Sequence, residues 1–465
     1  MPKRAFLALA AALTLATPAE ALNVTVQQGS PPYAFGSPPG NILCVLGDSI
    51  YAQGYSASNG TAFAVTTNLE SPRGPGFWAT FLTHGAVISG SEHNYAVPGY
   101  TTDNVIATSL PLILADPACS VYLMLNAVYN GLNAGTTAAH EEANMLQIVQ
   151  ELRAKGHPVI LQANFVGGLT STKLQYQLAT NYYAKTVLGG LSGVYYFDST
   201  RDSWQQQGAT PTALSGYTYD GLHPELLGAY PAYKQLGPIL NLLFPPAPEP
   251  ANGIWNVYDS TNNIHGNLIA ANSPLTGTGG TTTGTCVSGN VATGWTILAT
   301  GGGSQDLSSA TCAGSIVTKL GKVFQQIAIS GTATGDYHTF VSFYVPVTGM
   351  VAGQSYRAAC TVEQNAPVTN MGGLSLNLWV FDGTNKVQAG MGEDSYFGGT
   401  NLGPEPSYSP DAEIDNGMFE TDILVIPPGF TTSSEQLEFN IFFQNASSLT
   451  VAETVRIGNC AVWQL

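Results

Sequence analysis

Asp220 and His223 stand three residues apart in YDGLHPE (219–225), between a glycine and a proline, in a chain whose Asp, Glu, Lys and Arg together make up 9% of residues. An imidazole takes and returns a proton near neutral pH, and a carboxylate within hydrogen-bonding range fixes its tautomer and stabilises its charged form. Such a pair needs a nucleophile to serve. Ser49 is the candidate, because the apolar run NILCVL (41–46) leads straight into GDSI (47–50) and puts its hydroxyl just past a predicted strand. A serine hydroxyl becomes a useful nucleophile only when a base removes its proton. Attack on a carbonyl also needs donors for the developing oxyanion. The candidates are the backbone N–H of Ser49, that of Gly99 in NYAVPGYTT (94–102), and the amide of Asn130 in VYNGLNAG (128–135). Asn126, nearer the preceding strand, is a rival for the amide. Singly, each feature is ordinary: Gly-Asp-Ser and Asp-Gly make turns, His-Pro can lead into a helix, and an Asn can cap one. Their order and their places at strand ends make the set specific. The Gly-x-Ser-x-Gly elbow of another serine-hydrolase class does not occur.

The elements that must hold these residues follow from the apolar rhythm. NILCVL, VYLMLN (121–126), HPVILQ (157–162) and GVYYFD (193–198) read as buried strands. Between them AAHEEANMLQIVQELRAKG (138–156) and TKLQYQLATNYYAKTVLGGL (172–191) read as helices, with PELLGAYPAYKQLGPILNLL (224–243) as one closing helix. This alternation predicts an α/β domain, a parallel sheet covered by helices on both faces, over 41–245. In such sheets active groups gather beyond the strands' C-terminal ends. A proline-rich linker, FPPAPEPANG (244–253), leads through a polar Gly/Thr segment, TGTGGTTTGT (276–285), which reads as too irregular to pack. The linker and the start of the second domain occupy 246–285. From 286 to 465 alternating strands without a convincing helix predict a mostly antiparallel β-sandwich.

GDS after the first strand, a Gly in VPGYTT, an Asn after the third strand and DGLHP near the domain's end together resemble the SGNH, or GDSL-like, hydrolase family, over roughly residues 40–245. The resemblance implies a three-layer α/β/α sandwich with a flavodoxin-like sheet. It makes Ser49 the nucleophile, His223 the base and Asp220 its orienting acid, with an oxyanion hole from the Ser49 and Gly99 N–H groups and the Asn130 amide. One motif departs: where the family writes Gly-x-Asn-Asp, this chain has VYNG, with Val128 and Gly131 at the outer positions. The second half resembles the jelly-roll modules attached to secreted carbohydrate-active proteins. Its Trp255, Trp295, Trp379 and Trp463 serve either as core or as sugar platforms.

Composition bounds the rest. MPKRAFLALAAALTLATPAEA has the charge, apolar core and small-residue site of a secretory signal peptide, so residues 1–21 are expected to be removed near Ala21, with 22–40 an N-terminal segment, and the protein to be exported. No segment is long enough to span a membrane. A net charge of −16 gives a phosphate backbone little to hold, which disfavours nucleic acid as a partner. Of six cysteines, Cys286 with Cys312 and Cys360 with Cys460 are expected to pair, while Cys44 and Cys119 are either bonded or buried thiols, the second reading being preferred. His84, His93, His140, His157, His265 and His338 show no metal-site spacing, and no metal or organic cofactor is expected. The polar stretch YAQGYSASNGTAFAVTTNLESPRGP (51–75) reads as a loop walling the site, with DSTRDSWQQQGATPTALSGYTY (198–219) opposite it and Trp204 there either to stack on a sugar or to pack under the loop. The expectation is a secreted serine esterase acting on O-acyl groups, above all O-acetyl groups, of carbohydrate. The alternatives are a lipase or short-chain esterase, or a non-catalytic carbohydrate-binding or surface protein keeping the fold.

Overall fold

The apolar runs of the first half become one sheet. Numbered along the chain, Ile42–Leu46 (β1), Cys119–Leu125 (β4), Val159–Gln162 (β5) and Val194–Phe197 (β6) pair in parallel, in the order β1-β4-β5-β6. The computed structural model describes residues 40–465 except 53–54, 58–66, 126, 166–168, 170, 199–204, 207–211, 215–216, 219, 225, 245–256, 300–306, 320, 336–339, 393–413 and 444–445. On the free edge of β1, Ile88 and Asn94 make single parallel bridges to Ile42 and Val45. The segment before Gly99 is thus a second strand reduced to two bridges, and the order becomes 2-1-3-4-5, that of flavodoxin-like sheets.

Side chains alternate across this sheet and both faces are buried. Leu43, Val45, Val121, Leu123, Ile160 and Phe197 face the side covered by Pro75–Leu82 (α2), Leu226–Tyr233 (α8) and Leu236–Leu243 (α9). Cys44, Leu46, Tyr122, Met124, Leu161 and Tyr196 face Leu110–Ala115 (α4), Val128–Ala134 (α5) and Ala138–Ala154 (α6). Short Ser49–Ala52 (α1) and Thr102–Asn104 (α3) and the longer Ser171–Tyr183 (α7) complete the helices. This is the expected three-layer α/β/α sandwich. The closing helix is two, not one. Pro238 has no N–H for the Lys234 carbonyl, so the chain restarts at Leu236.

The second half is a β-sandwich of two largely antiparallel sheets. One holds Val287–Gly289 (β10), Ala310–Lys319 (β12), Lys322–Gly335 (β13), Ala446–Gln464 (β21), Ser355–Thr369 (β15) and Ile414–Glu420 (β18), with Leu424–Val425 (β19) beside β15. The other holds Lys386–Gly392 (β17), Met371–Phe381 (β16), Ser434–Phe443 (β20), Phe340–Pro346 (β14), Thr296–Ala299 (β11) and Thr281–Thr283 (β9). The Gly/Thr segment therefore does pack, its exposed threonines forming an edge strand parallel to β11.

Two results differ from expectation at the junction. The stretch after Ser49 is not simply a loop: Tyr55–Ala57 (β2) and Thr67–Glu70 (β3) pair with each other, and β3 lies parallel to β17, so the hairpin extends the sandwich sheet. Secondly, α2 packs directly on the sandwich. Phe77 and Phe81 meet Phe419 of β18 edge-on at 5.4 and 5.8 Å, and a single apolar core runs from β1 through these rings to Phe439. Gly417 permits the approach, since a Cβ there would lie 2.2 Å from the Phe81 ring. The Ser91 N–H also donates across the junction to Asp422 at 3.3 Å.

Cys286–Cys312 and Cys360–Cys460 are disulfides. So is Cys44–Cys119, which takes the bonded alternative rather than the preferred reading of buried thiols. Neighbouring strands β1 and β4 turn both side chains to the same face with Cα atoms 5.5 Å apart, within the span a disulfide bridges.

Candidate active site

Ser49 is positioned by the core beneath it. Leu43 to Leu46 are 0% exposed, and the buried end of β1 fixes where the chain turns. Asp48 closes that turn: its Oδ1 accepts from the Ile50 N–H at 3.0 Å, and its carbonyl accepts from the Tyr51 and Ala52 N–H groups at 3.2 and 3.0 Å. The Ser49 N–H, in the first turn of α1, has no carbonyl of its own helix to bond. Tyr51 reaches back into the sheet and donates to Gln162.

His223 arrives on the loop before α8. Its Nε2 lies 2.7 Å from Ser49 Oγ and its Nδ1 2.6 Å from Asp220 Oδ2. Asp220 Oδ1 accepts from the N–H groups of Leu222 and His223 at 3.0 and 2.8 Å, and Gly221 between them has φ +89°, a value glycine adopts without strain. A carboxylate facing Nδ1 holds the proton on that nitrogen and leaves Nε2 to accept from the serine hydroxyl. Burial works to raise the Asp220 pKa, but the donors from His223 and Leu222 outweigh it and hold the carboxyl below its ordinary range. Asp220 is therefore ionised at neutral pH, as an orienting acid must be.

The remaining expected donors sit against the same turn. The Val97 N–H donates to the Gly47 carbonyl at 3.2 Å, and Asn94 Nδ2 to the Tyr51 carbonyl at 3.1 Å, so the 94–100 loop is laced to the nucleophile turn. Gly99 has φ +78°, and a Cβ there would meet nothing; its backbone conformation, not space, calls for glycine. Asn130 lies in the first turn of α5, where Nδ2 donates to the Tyr100 carbonyl at 2.9 Å and stands 3.5 Å from Asp48 Oδ2. Its amide is thus already engaged beside the nucleophile. Asn126 and Trp204 lie outside the described residues, as do residues 1–39, Trp255 and His338. Within the expected opposite wall, Gln205–Gln206 (β7) and Thr212–Ala213 (β8) form a small antiparallel pair.

Asp48, which shapes the nucleophile turn, is also 1% exposed, and burial pushes its pKa up to about 6 against the opposing pull of the Ile50 N–H and of His223. Its adjacency to Ser49 is plain in the sequence, whereas its burial, with Asn130 of α5 3.5 Å from Oδ2, comes only with the fold. Elsewhere, His93 Nδ1 and Tyr95 Oη share Asp116 Oδ2 at 2.7 and 2.8 Å, close to Cys44. Cys44 is bonded to Cys119 and has no thiolate to offer an ion, and Asp116 is occupied by its two donors.

No protein-family model and no curated protein matches the chain. Among solved structures it is similar to a carbohydrate esterase family 3 protein from Talaromyces cellulolyticus (16% identity, 44% of this chain, 98% of that one, TM-score 0.31). It is similar also to a member of the lipolytic G-D-S-L family from Veillonella parvula (13% identity, 42% and 94%, TM-score 0.28). A third likeness is to TmCBM61, solved with β-1,4-galactotriose (10% identity, 37% and 90%, TM-score 0.21). The chain thus resembles G-D-S-L lipolytic proteins and carbohydrate esterases on one side and carbohydrate-binding β-sandwich modules on the other.

Proposed function

We propose that this chain is an exported serine esterase working through an acyl-enzyme, with O-acyl groups on carbohydrate, above all O-acetyl groups, as its substrates. One observation carries the reading: Ser49, His223 and Asp220 form a continuous relay, 2.7 Å from hydroxyl to imidazole and 2.6 Å from imidazole to carboxylate. His223 Nε2 takes the Ser49 proton as Oγ attacks the ester carbonyl, and Asp220 stabilises the imidazolium that forms. The carbonyl π electrons move to oxygen, where the Ser49 and Gly99 N–H groups and the Asn130 amide receive the charge. For Asn130 this means turning one amide hydrogen from Asp48 toward the oxyanion. Collapse expels the sugar alkoxide, which takes the proton from His223. Water then repeats the sequence on the acyl-enzyme and releases the carboxylic acid and free Ser49. Export is supported by the signal-like N-terminus, and a hydroxyl-rich substrate by the polar segments flanking Ser49 and His223.

The test is hydrolysis of p-nitrophenyl acetate and of acetylated xylan by the mature protein and by Ser49→Ala. Loss of both activities in the variant is expected. Loss on the small ester, with xylan untouched by either protein, keeps the esterase and removes the polysaccharide substrate. Equal rates for the two proteins would make Ser49 a turn residue.

A further inference from the structure

Two donors of the oxyanion hole, the Gly99 N–H and the Asn130 amide, come from separate segments that must be held in register. The Gly99 loop, exposed at Pro98 and Gly99, is fixed on either side. Before it, the Val97 N–H donates to the Gly47 carbonyl. After it, Thr102 is buried at 0% exposure, inside a turn closed by the side chains of Thr101 and Asn104. Thr102 Oγ1 donates to Glu141 Oε2 at 2.7 Å and accepts from Asn144 Nδ2 at 2.9 Å. Glu141 stands in the first turn of α6, where a glutamate ordinarily faces water, yet it is 0% exposed. Its Oε1 accepts from the Thr136 hydroxyl, and the Thr136 N–H donates to the Gly131 carbonyl at 3.0 Å. Gly131 directly follows Asn130, at the place where the Gly-x-Asn-Asp motif carries its carboxylate. A Cβ at Gly131 would collide with Glu141 Oε1. The carboxylate missing from α5 is thus replaced by one from α6.

A buried carboxylate is unfavourable unless donors satisfy it, and here the donors belong to the two segments that carry the hole. We infer that Glu141 is a positioning residue of the oxyanion hole, its carboxylate bridging the Gly99 loop and the Asn130 helix so that both donors meet one oxygen. The inference rests on the esterase reading. Asn130 Nδ2 already donates to the Tyr100 carbonyl at 2.9 Å, which fixes the amide to the loop. Glu141 fixes the helix on which that amide stands. On the outer side, the exposed His140 and Asp103, 2.9 Å apart, brace α6 against α3, so losing the buried bridge loosens the hole while this pair still holds the two elements together. The part played by Glu141 is geometric: misplacing a catalytic group by about 1 Å is enough to cost about a hundredfold in rate.

The test is steady-state hydrolysis of p-nitrophenyl acetate by the mature protein and its variants, with melting followed by circular dichroism. Glu141→Ala is expected to lower kcat by about thirtyfold with KM within about twofold, because the oxyanion forms only after the ground state. Glu141→Gln fills the same space and can still bond both hydroxyls, so it should lose only about threefold. Should Glu141→Ala fail to fold, Thr102→Val removes one hydroxyl at nearly constant volume and is expected to cost about tenfold in kcat. In an Asn130→Ala background that Thr102→Val loss should shrink to about threefold or less, since residues acting through one another are not additive. Parent-like kcat in both Glu141→Ala and Thr102→Val overturns the inference. So does a loss no larger than the unfolded fraction at the assay temperature, or full additivity with Asn130→Ala. Ser49→Ala separates the two readings. If it is inactive while the Glu141 and Thr102 variants match the parent, the positioning role alone falls; if it is as active as the parent, both readings fall.

Discussion

The two arms of the candidate site are held by opposite means. Ser49 opens the short helix after a strand buried from Leu43 to Leu46, in a turn closed by the buried Asp48, and leads into a hairpin that belongs to the sandwich sheet. His223 and Asp220 sit on a surface loop, their side chains 15% and 40% exposed, and are organised mainly by each other and by a three-residue turn. The nucleophile is thus a product of the whole fold, whereas the acid–base pair is a local device. Damage far from the chemistry should reach the site through Ser49, and damage near it through His223.

The comparison can be broken from either side. His223→Ala removes the base and should lower kcat/KM on p-nitrophenyl acetate by about a thousandfold with little change in melting temperature, because the loop contributes little to the core. Gly417→Ala strikes the other support: its Cβ would collide with Phe81, and the junction should lose about 3 kcal/mol in denaturant unfolding, with part of that recovered in Gly417→Ala/Phe81→Leu. Independent melting of an undisturbed first half would refute the shared core. Asp220→Asn sharpens the local arm. It keeps the shape but loses the charge facing Nδ1, and should cost about a hundredfold in rate. The smallest effect belongs to the sandwich alone. Glu453 accepts from Gln364 deep between β15 and β21, and burial pushes its pKa up to about 8 from 4.5. The folded protein therefore holds a proton that the unfolded chain releases, so stability is fullest below pH 4.5 and is lost as pH rises through 8. A decline of about 2 kcal/mol across that window, flattened by Glu453→Gln, is expected from unfolding midpoints at several pH values.

What the sequence disclosed follows the same division. His223 and Asp220 lie three residues apart and could be read together, as could Ser49 at the end of an apolar strand. The parallel sheet was legible because its strands are buried on both faces and its helices carry their own start and stop residues, such as Thr137 and Gly156 around α6. Long-range pairing left no such mark. Nothing in residues 55–70 announces a parallel partner at 386–392, and the closeness of Cys44 to Cys119 arises only once β1 and β4 pair. The Asn130 amide, with Tyr100 on one side and Asp48 on the other, is likewise a product of three separate segments.

The central claim, that Ser49 is a nucleophile activated by His223, is tested most directly by covalent trapping. The mature protein is treated with diethyl p-nitrophenyl phosphate and the modified peptide is mapped by mass spectrometry. A single diethylphosphoryl adduct on Ser49, absent from Ser49→Ala and formed at least about a hundredfold more slowly in His223→Ala, is the predicted result. No adduct, or one on another residue formed equally fast without His223, would contradict it.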